Sequence, residues 1–124
     1  MPMVTLDKLA YARSGDKGDV CNIGVMARTP DIYEFLLTEL RPERIKEHFG
    51  SMVSGEVEVY PMANIHSLAI VLRGALGGGA TTTLRYDQTG KAMGSALLRF
   101  QLDAGEELIE QGRRQEEELL NARV

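Results

Sequence analysis

Two stretches near the start of the sequence alternate apolar and other side chains with a period of two. Leu9, Tyr11 and Arg13 alternate with two alanines, and Ile23 and Val25 alternate with small or polar residues and a methionine. This period is typical of strands that bury one face. A polar segment separates the two stretches, so the sequence predicts two strands joined by a tight loop at residues 14–19. That loop is dense in residue types that favour turns.

Helix signals follow directly. Thr29 is a predicted helix cap, and Pro30 suits the first helical position. A second helix is predicted from Pro42, and Gly50 can end it in the left-handed conformation. The apolar residues of both segments recur at helical spacing, so both helices are expected to cover one face of the sheet.

The second half of the chain predicts further strands. Residues 57–60 alternate and predict a strand with one wet face, whereas residues 68–72 are apolar throughout and fit a neighbouring central strand covered on both faces. Residues 98–102 alternate and predict a last strand. Residues 81–86 fit either a β-branched strand or a short helix that ends near Gly90.

A charged helix is predicted at the end of the chain. Asp103 is its expected cap and Glu106 the capping-box partner. A thin apolar stripe leaves two alternatives, docking on a partner subunit or fraying. The polar pairs at helical contact spacing are Glu107/Gln111, Glu110/Arg114 and Arg113/Glu117.

Length and composition limit the fold and its partners. A chain of 124 residues with 44% hydrophobic residues supports one core. The predicted strands and helices together give the fold class α/β (α+β), a sheet with helices on one face and a carboxy-terminal helix. A net charge of −4 without a basic run predicts no nucleic-acid partner.

The same features predict where the protein works. Cys21 is the only cysteine, which excludes an internal disulfide and fits a reducing cytoplasm. The start lacks a secretory signal, and the longest apolar run is too short to cross a bilayer, so no membrane association is expected. Neither a metal nor a cofactor is predicted.

Three separated motifs occur in a fixed order, and together they are more specific than any one alone. They are Arg-Ser-Gly-Asp-Lys-Gly-Asp at 13–19 with Asn-Ile-Gly at 22–24, Leu-Gly-Gly-Gly at 76–79, and Leu-Arg-x-Asp-x-x-Gly-Lys at 84–91. This order resembles the AtuA-like ferredoxin-fold domain family of acyclic terpene utilisation proteins.

The resemblance implies a ferredoxin-like sandwich, with a mainly antiparallel sheet covered by helices, over residues 1–103, followed by the charged helix or tail at 104–124. It also implies a link to bacterial breakdown of citronellol, geraniol or related branched acyl-CoA compounds, without an established reaction. Longer members carry a large amino-terminal domain that this sequence lacks, and this leaves an accessory or subunit role open.

The polar loop has the ingredients of an anion site, because glycines let backbone N–H groups converge beside a hydroxyl and a cation. An acyl-CoA or another anionic small molecule would fit there. Asp16 opposes this interpretation, and the alternative is a hairpin connection whose aspartates bond their own backbone. The predicted ligand-binding residues are Ser14, Gly15, Lys17, Gly18, Asn22, Gly77, Gly78, Gly79 and Arg85.

Each remaining candidate has a structural alternative. The triple glycine fits a packing bend, and Arg85 can pair with Asp87. His66 is a candidate general base but is more commonly a satisfied, partly buried side chain. His48 fits a dipole partner at a helix end, and Cys21 fits a small core hydrophobe.

Three functions remain open at this point. The first is a ligand-binding or accessory domain. The second is a small enzyme acting on acyl thioesters, with His66 or Asp16 as base. The third is a structural subunit of a homo-oligomer or a larger catabolic complex.

Overall fold

Two antiparallel hairpins and two intervening helices organise the chain. The computed structural model describes residues 3–17, 20–50, 53–74 and 94–122. The strands are β1 (Met3–Thr5), β2 (Ala10–Lys17), β3 (Val20–Ala27), β4 (Val57–Met62), β5 (Ser67–Leu72) and β6 (Gln101–Asp103). The helices are α1 (Pro30–Glu39), α2 (Pro42–Phe49) and α3 (Glu106–Ala122), with a short helical segment at residues 94–98.

The main sheet has the strand order β2-β3-β5-β4, and all its neighbours are antiparallel. The predicted neighbours β4 and β5 do pair, with Val59 opposite Ile70. A second, two-stranded sheet joins β1 to β6. The predicted fold class, a mainly antiparallel sheet covered by helices with a carboxy-terminal helix, is confirmed.

Alternation along β3 divides the sheet into two faces. Ile23 and Val25 are almost fully buried, and they lie opposite Ile70 and Leu68 of β5. The helices α1 and α2 cover this face, which we call the helix face. The alternate residues of the strands point away from α1 and α2, onto what we call the open face. On β3 these residues are Asn22, Gly24 and Met26, and Tyr60 on β4 and Ala69 on β5 share the same face.

The predicted helix signals are confirmed. The Thr29 Oγ1 accepts a hydrogen bond from the Ile32 N–H at 3.1 Å, with Pro30 at the first helical position. The second helix begins at Pro42, and Gly50 ends it with a φ of 59°, a conformation that favours glycine.

The predicted polar loop is shorter than expected. Residues 14–17 belong to β2, where Ser14 pairs with Ile23 and Gly15 with Asn22. The ladder with β3 bonds those backbone groups of this segment that face β3, and this outweighs the turn preference of glycine and aspartate.

The predictions for the last strand and the last helix cap were also partly wrong. Leu98 lies in the helical segment 94–98, and only Gln101–Asp103 forms a strand. Asp103 therefore ends β6 and does not cap α3. The carbonyl oxygen of Gly105 accepts the first bonds of that helix, from Leu108 and Ile109.

The carboxy-terminal helix docks on the chain's own domain through Arg28. The Arg28 side chain is only 6% exposed, and its Nη atoms donate to the carbonyl oxygens of Asp7 and Gly112 at 2.8 and 3.3 Å. Its guanidinium stacks over the Tyr11 ring at 4.4 Å. Gly112 permits the close approach, because a Cβ there would collide with the Lys8 carbonyl oxygen.

Side chains of α3 complete the docking. Gln111 contacts both Thr29 and Asp31, so the predicted pairing of Gln111 with Glu107 is replaced by contacts with α1 and its cap. The other two predicted helical pairs, Glu110/Arg114 and Arg113/Glu117, are confirmed.

Two groups of predictions lie outside the described residues. These are the bend at 76–79 and the segment 81–90. Within the described ranges, no helix is long and apolar enough to cross a membrane.

We predict that Arg28→Ala loosens α3 and lowers the free energy of unfolding by about 2–4 kcal/mol, because two buried carbonyls lose their donor and a ring loses its stacking partner. Urea unfolding and amide exchange along α3 measure both effects. The control is Arg113→Ala, which removes an exposed arginine of α3 and should leave the urea midpoint and the amide exchange close to those of the wild type. Equal effects of the two substitutions would contradict the anchoring role of Arg28.

Candidate functional site

A groove of about 590 Å³ lies between α2 and the residues that lead into β6. Two arginines and a histidine face it, together with one carboxylate and one aromatic ring. Its lining consists of Arg44, Glu47, His48, Arg99, Phe100 and Gln101.

The amphipathic pattern of α2 places three of these side chains together. Ile45 and Phe49 turn inward and are buried, so the positions between them face outward. Arg44 and His48 are four residues apart and therefore lie on the same side of the helix, one turn from each other.

Contacts within the protein hold Arg44 in place. Its Nη1 donates to the side chain of Glu39 at 2.9 Å and to the carbonyl oxygen of the same residue at 3.1 Å. Its guanidinium lies 5.1 Å from the centre of the Phe100 ring. A cation held in this way loses little conformational freedom when an anion arrives.

His48 is fixed as firmly. Its Nε2 lies 2.7 Å from the carbonyl oxygen of Ala96, and because a carbonyl only accepts, Nε2 carries the proton. The ring also packs against Phe49 and Phe100, with centroids 5.3 and 5.2 Å away. The histidine thus ties α2 to the helical segment 94–98.

The charges around the groove are balanced, and one of its arginines is available to a ligand. Arg99 is exposed, and its side chain has no hydrogen-bond or ion-pair partner among the described residues. Glu39 neutralises Arg44, which leaves Arg99 against Glu47 before any ligand binds. Arginine binds carboxylate and phosphate through two parallel hydrogen bonds, so Arg99 is the residue able to take a ligand anion directly. No group of acidic, histidine or cysteine side chains within the described ranges could hold a metal ion.

The helical segment 94–98 also contacts the predicted serine. A Cβ placed on Gly94 would meet the Ser14 Oγ at 2.7 Å and its Cβ at 3.0 Å. Ser14 therefore packs on one side of this segment, while His48 bonds to Ala96 on the same segment. The short helical segment 94–98 therefore lies between Ser14 and the groove.

The structure divides the predicted ligand-binding residues. Ser14 pairs with Ile23 and shares its helix face, whereas Gly15 and Asn22 pair with each other on the open face. Gly18, Gly77, Gly78, Gly79 and Arg85 lie outside the described residues, and for Lys17 only the backbone is described. A shared site for the whole set stays a prediction.

The two candidate bases, His66 and Asp16, lie beside opposite ends of β3. The carbonyl oxygen of His66 accepts from the Ala27 N–H, whereas Asp16 pairs with Cys21. Ala27 lies six positions along β3 from Cys21, which corresponds to a distance of about 20 Å. His66 is exposed and contacts the Tyr33 ring edge-on at 5.7 Å. The two alternatives for the base therefore belong to different parts of the sheet.

Cys21 is fully buried on the helix face, as expected for a core residue. The sequence did not reveal the groove. The spacing of Arg44 and His48 was a usable signal, but the carbonyl that fixes His48 lies 48 residues away along the chain.

We predict that Gly94→Ala lowers the free energy of unfolding by about 1–3 kcal/mol, because the new methyl group meets Ser14 at less than contact distance. Adding Ser14→Gly removes both clashing atoms and restores part of the loss. The measurement is a double-mutant cycle by urea unfolding.

The control for this cycle is Gly15→Ala, since a Cβ at Gly15 has no atom within 4 Å. Its expected change is within about 0.5 kcal/mol. Additive effects of Gly94→Ala and Ser14→Gly would show that the two residues are not in contact.

Comparison with known protein families gives a match, and it covers the residues that form this groove. A family model described as the AtuA ferredoxin-like domain matches residues 4–103, from β1 to the end of β6. The comparisons found no match among curated proteins or among solved structures. The match includes all the groove residues and confirms the resemblance carried by the motifs, while α3 follows it.

Proposed function

Because the chain belongs to the AtuA ferredoxin-like domain family, we propose that it is a ligand-binding accessory subunit in the breakdown of acyclic terpenes or branched acyl-CoA compounds. The observation that supports binding is the groove with Arg99 at its rim and Arg44 fixed behind it. In this proposal the groove holds the anionic part of the ligand.

The chemistry of such ligands matches the groove. Terpenoid acids present a carboxylate on a branched apolar body, and acyl-CoA compounds add phosphates. Arg99 supplies a guanidinium for the anion, and this group has no partner among the described residues. The Phe100 ring lies beneath Arg44 and His48 at the base of the groove. The volume of about 590 Å³ falls in the usual range of small-molecule sites.

In this proposal the groove's histidine positions the helix. Nε2 of His48 donates to the Ala96 carbonyl oxygen and ties α2 to the segment 94–98, while Nδ1 keeps its lone pair. The acyl-thioester alternative with His66 as its base is less well supported, because His66 lies beside Ala27, about 13 Å along β3 from the Ile23 that pairs with Ser14.

The proposal places this role in the cytoplasm. A lone, buried cysteine suits a reducing compartment, where disulfides do not form.

The test is isothermal titration of the full chain with isovaleryl-CoA, free coenzyme A and citronellic acid. We expect saturable binding of at least one of these, weakened about tenfold or more by Arg99→Gln. The matched control is Arg114→Gln, which removes an equal charge from the exposed side of α3 and should leave binding unchanged.

Three patterns distinguish the outcomes. Binding of the thioester and of free coenzyme A alike would assign the phosphates to the groove, and binding of citronellic acid would assign the carboxylate. Absence of saturable binding to all three would reject the ligand-binding function. Equal weakening by both substitutions would show that the groove is not the site.

A further inference from the structure

The open face of the main sheet presents large apolar side chains to solvent. Met26 on β3 is 51% exposed, and Tyr60 on β4 is 50% exposed. Between them lie Gly24 and the half-buried Ala69, which form one register row with Tyr60. A sheet face of this composition is costly to leave in water.

Charges on the open face are separated between its two edges. Arg13 stands on the edge strand β2, exposed, and its side chain has no hydrogen-bond or ion-pair partner among the described residues. The opposite edge carries Glu56, Glu58 and Arg73, a net charge of −1. Arg73 is the main reason that the pKa of Glu58 is lowered, so this carboxylate stays ionised at neutral pH.

A two-fold axis parallel to the strands makes this face complementary to itself. Such an axis lies in the plane between two facing sheets, and rotation about it does not move a residue along the strand direction. We call the residues that pair side by side across the four strands a register row. Each row therefore faces the same row of the second copy, with the order of the strands reversed. The row Arg13, Gly24, Ala69, Tyr60 then places Arg13 over Tyr60 of the second copy. Glu58 lies two residues from Tyr60 on the same strand, within reach of the same guanidinium.

The centre of this arrangement is sterically open. Gly24 would face Ala69, the two smallest side chains of the row, next to the axis. Small residues at the centre let two sheets approach to the usual spacing of about 10 Å. At the edges, the long side chain of one copy then packs against the long side chain of the other. Arg13 over Tyr60 would form a cation–π contact twice, once on each side of the axis.

We propose that the open face is the docking surface for a second copy of this chain, in a two-fold dimer centred between β3 and β5. Four strands about six residues long give a projected area of about 400 Å² per copy. The accessible area of a face with upright side chains exceeds its projection, so the dimer lies near the lower limit of specific interfaces. A dissociation constant on the order of 10 µM is therefore expected.

The proposal is tested by sedimentation velocity of the full chain over about 1–500 µM, a range that spans the expected constant. The wild type should shift with concentration from the 13.7 kDa monomer to twice that mass. Arg13→Glu places like charges at both edges and should weaken the dimer at least tenfold. Adding Glu58→Lys to that variant reverses the pair and should recover most of the loss.

Gly24→Gln tests the centre of the interface. A Cβ at Gly24 has only the Arg13 carbonyl oxygen within 4 Å, at 3.9 Å, so the monomer tolerates the side chain. The dimer does not, because the glutamine would stand between the two sheets. Circular dichroism and urea unfolding confirm that the variant is folded.

The control is Arg41→Glu, an equal charge reversal at the start of α2 and away from the open face. It should dimerise like the wild type. A wild-type chain that stays monomeric at every concentration would overturn the proposal and leave the face to another occupant. A dimer that Arg13→Glu and Gly24→Gln leave intact would also overturn it, because association would then use another surface.

Discussion

The pairing of β3 with β5 joins two hairpins that are otherwise far apart in sequence. Six residue pairs connect the strands, and Ile23, Val25, Leu68 and Ile70 are buried along them to 1% exposure or less. Each such side chain contributes roughly 1.5–3 kcal/mol by leaving water. A slip of one residue would exchange these for Asn22, Gly24 and Met26, so the register is strongly specified. The helix face, the groove and the open face all depend on it.

Arg28 has a similar role outside the sheet. It follows β3 directly, and its buried guanidinium connects the turn at Asp7, the ring of Tyr11 and the carbonyl of Gly112. Its Nε is buried and has no hydrogen-bond partner among the residues that the structure describes, which is a cost that the other contacts must offset. The arginine joins the matched family region, residues 4–103, to a helix that lies beyond it. Sequence patterns showed that helix but not where it docks, because a single arginine carries no periodic signal.

The parts of the fold that could be predicted are those set by interactions between residues close together in the sequence. The strand β3 and the caps at Thr29 and Gly50 depend on nearest neighbours, and the sequence predicted them. Residues 14–17 were taken for a loop because glycine and aspartate favour turns, but pairing with β3 supplied a better set of hydrogen bonds. The groove was not predictable in the same way, since Arg99 and His48 meet only through tertiary packing.

The sheet keeps the two proposed surfaces apart. The groove lies on the side of α2 and His48, and the open face lies on the other side of the same four strands. Neighbouring residues of β2 mark the division, because Arg13 points to the open face and Ser14 contacts Gly94 beside the groove. A dimer through the open face would therefore leave both grooves exposed and turned away from each other. Ligand binding and self-association can then be altered independently, since coupling between them would require two arrangements of a strand that the β3 ladder holds in one.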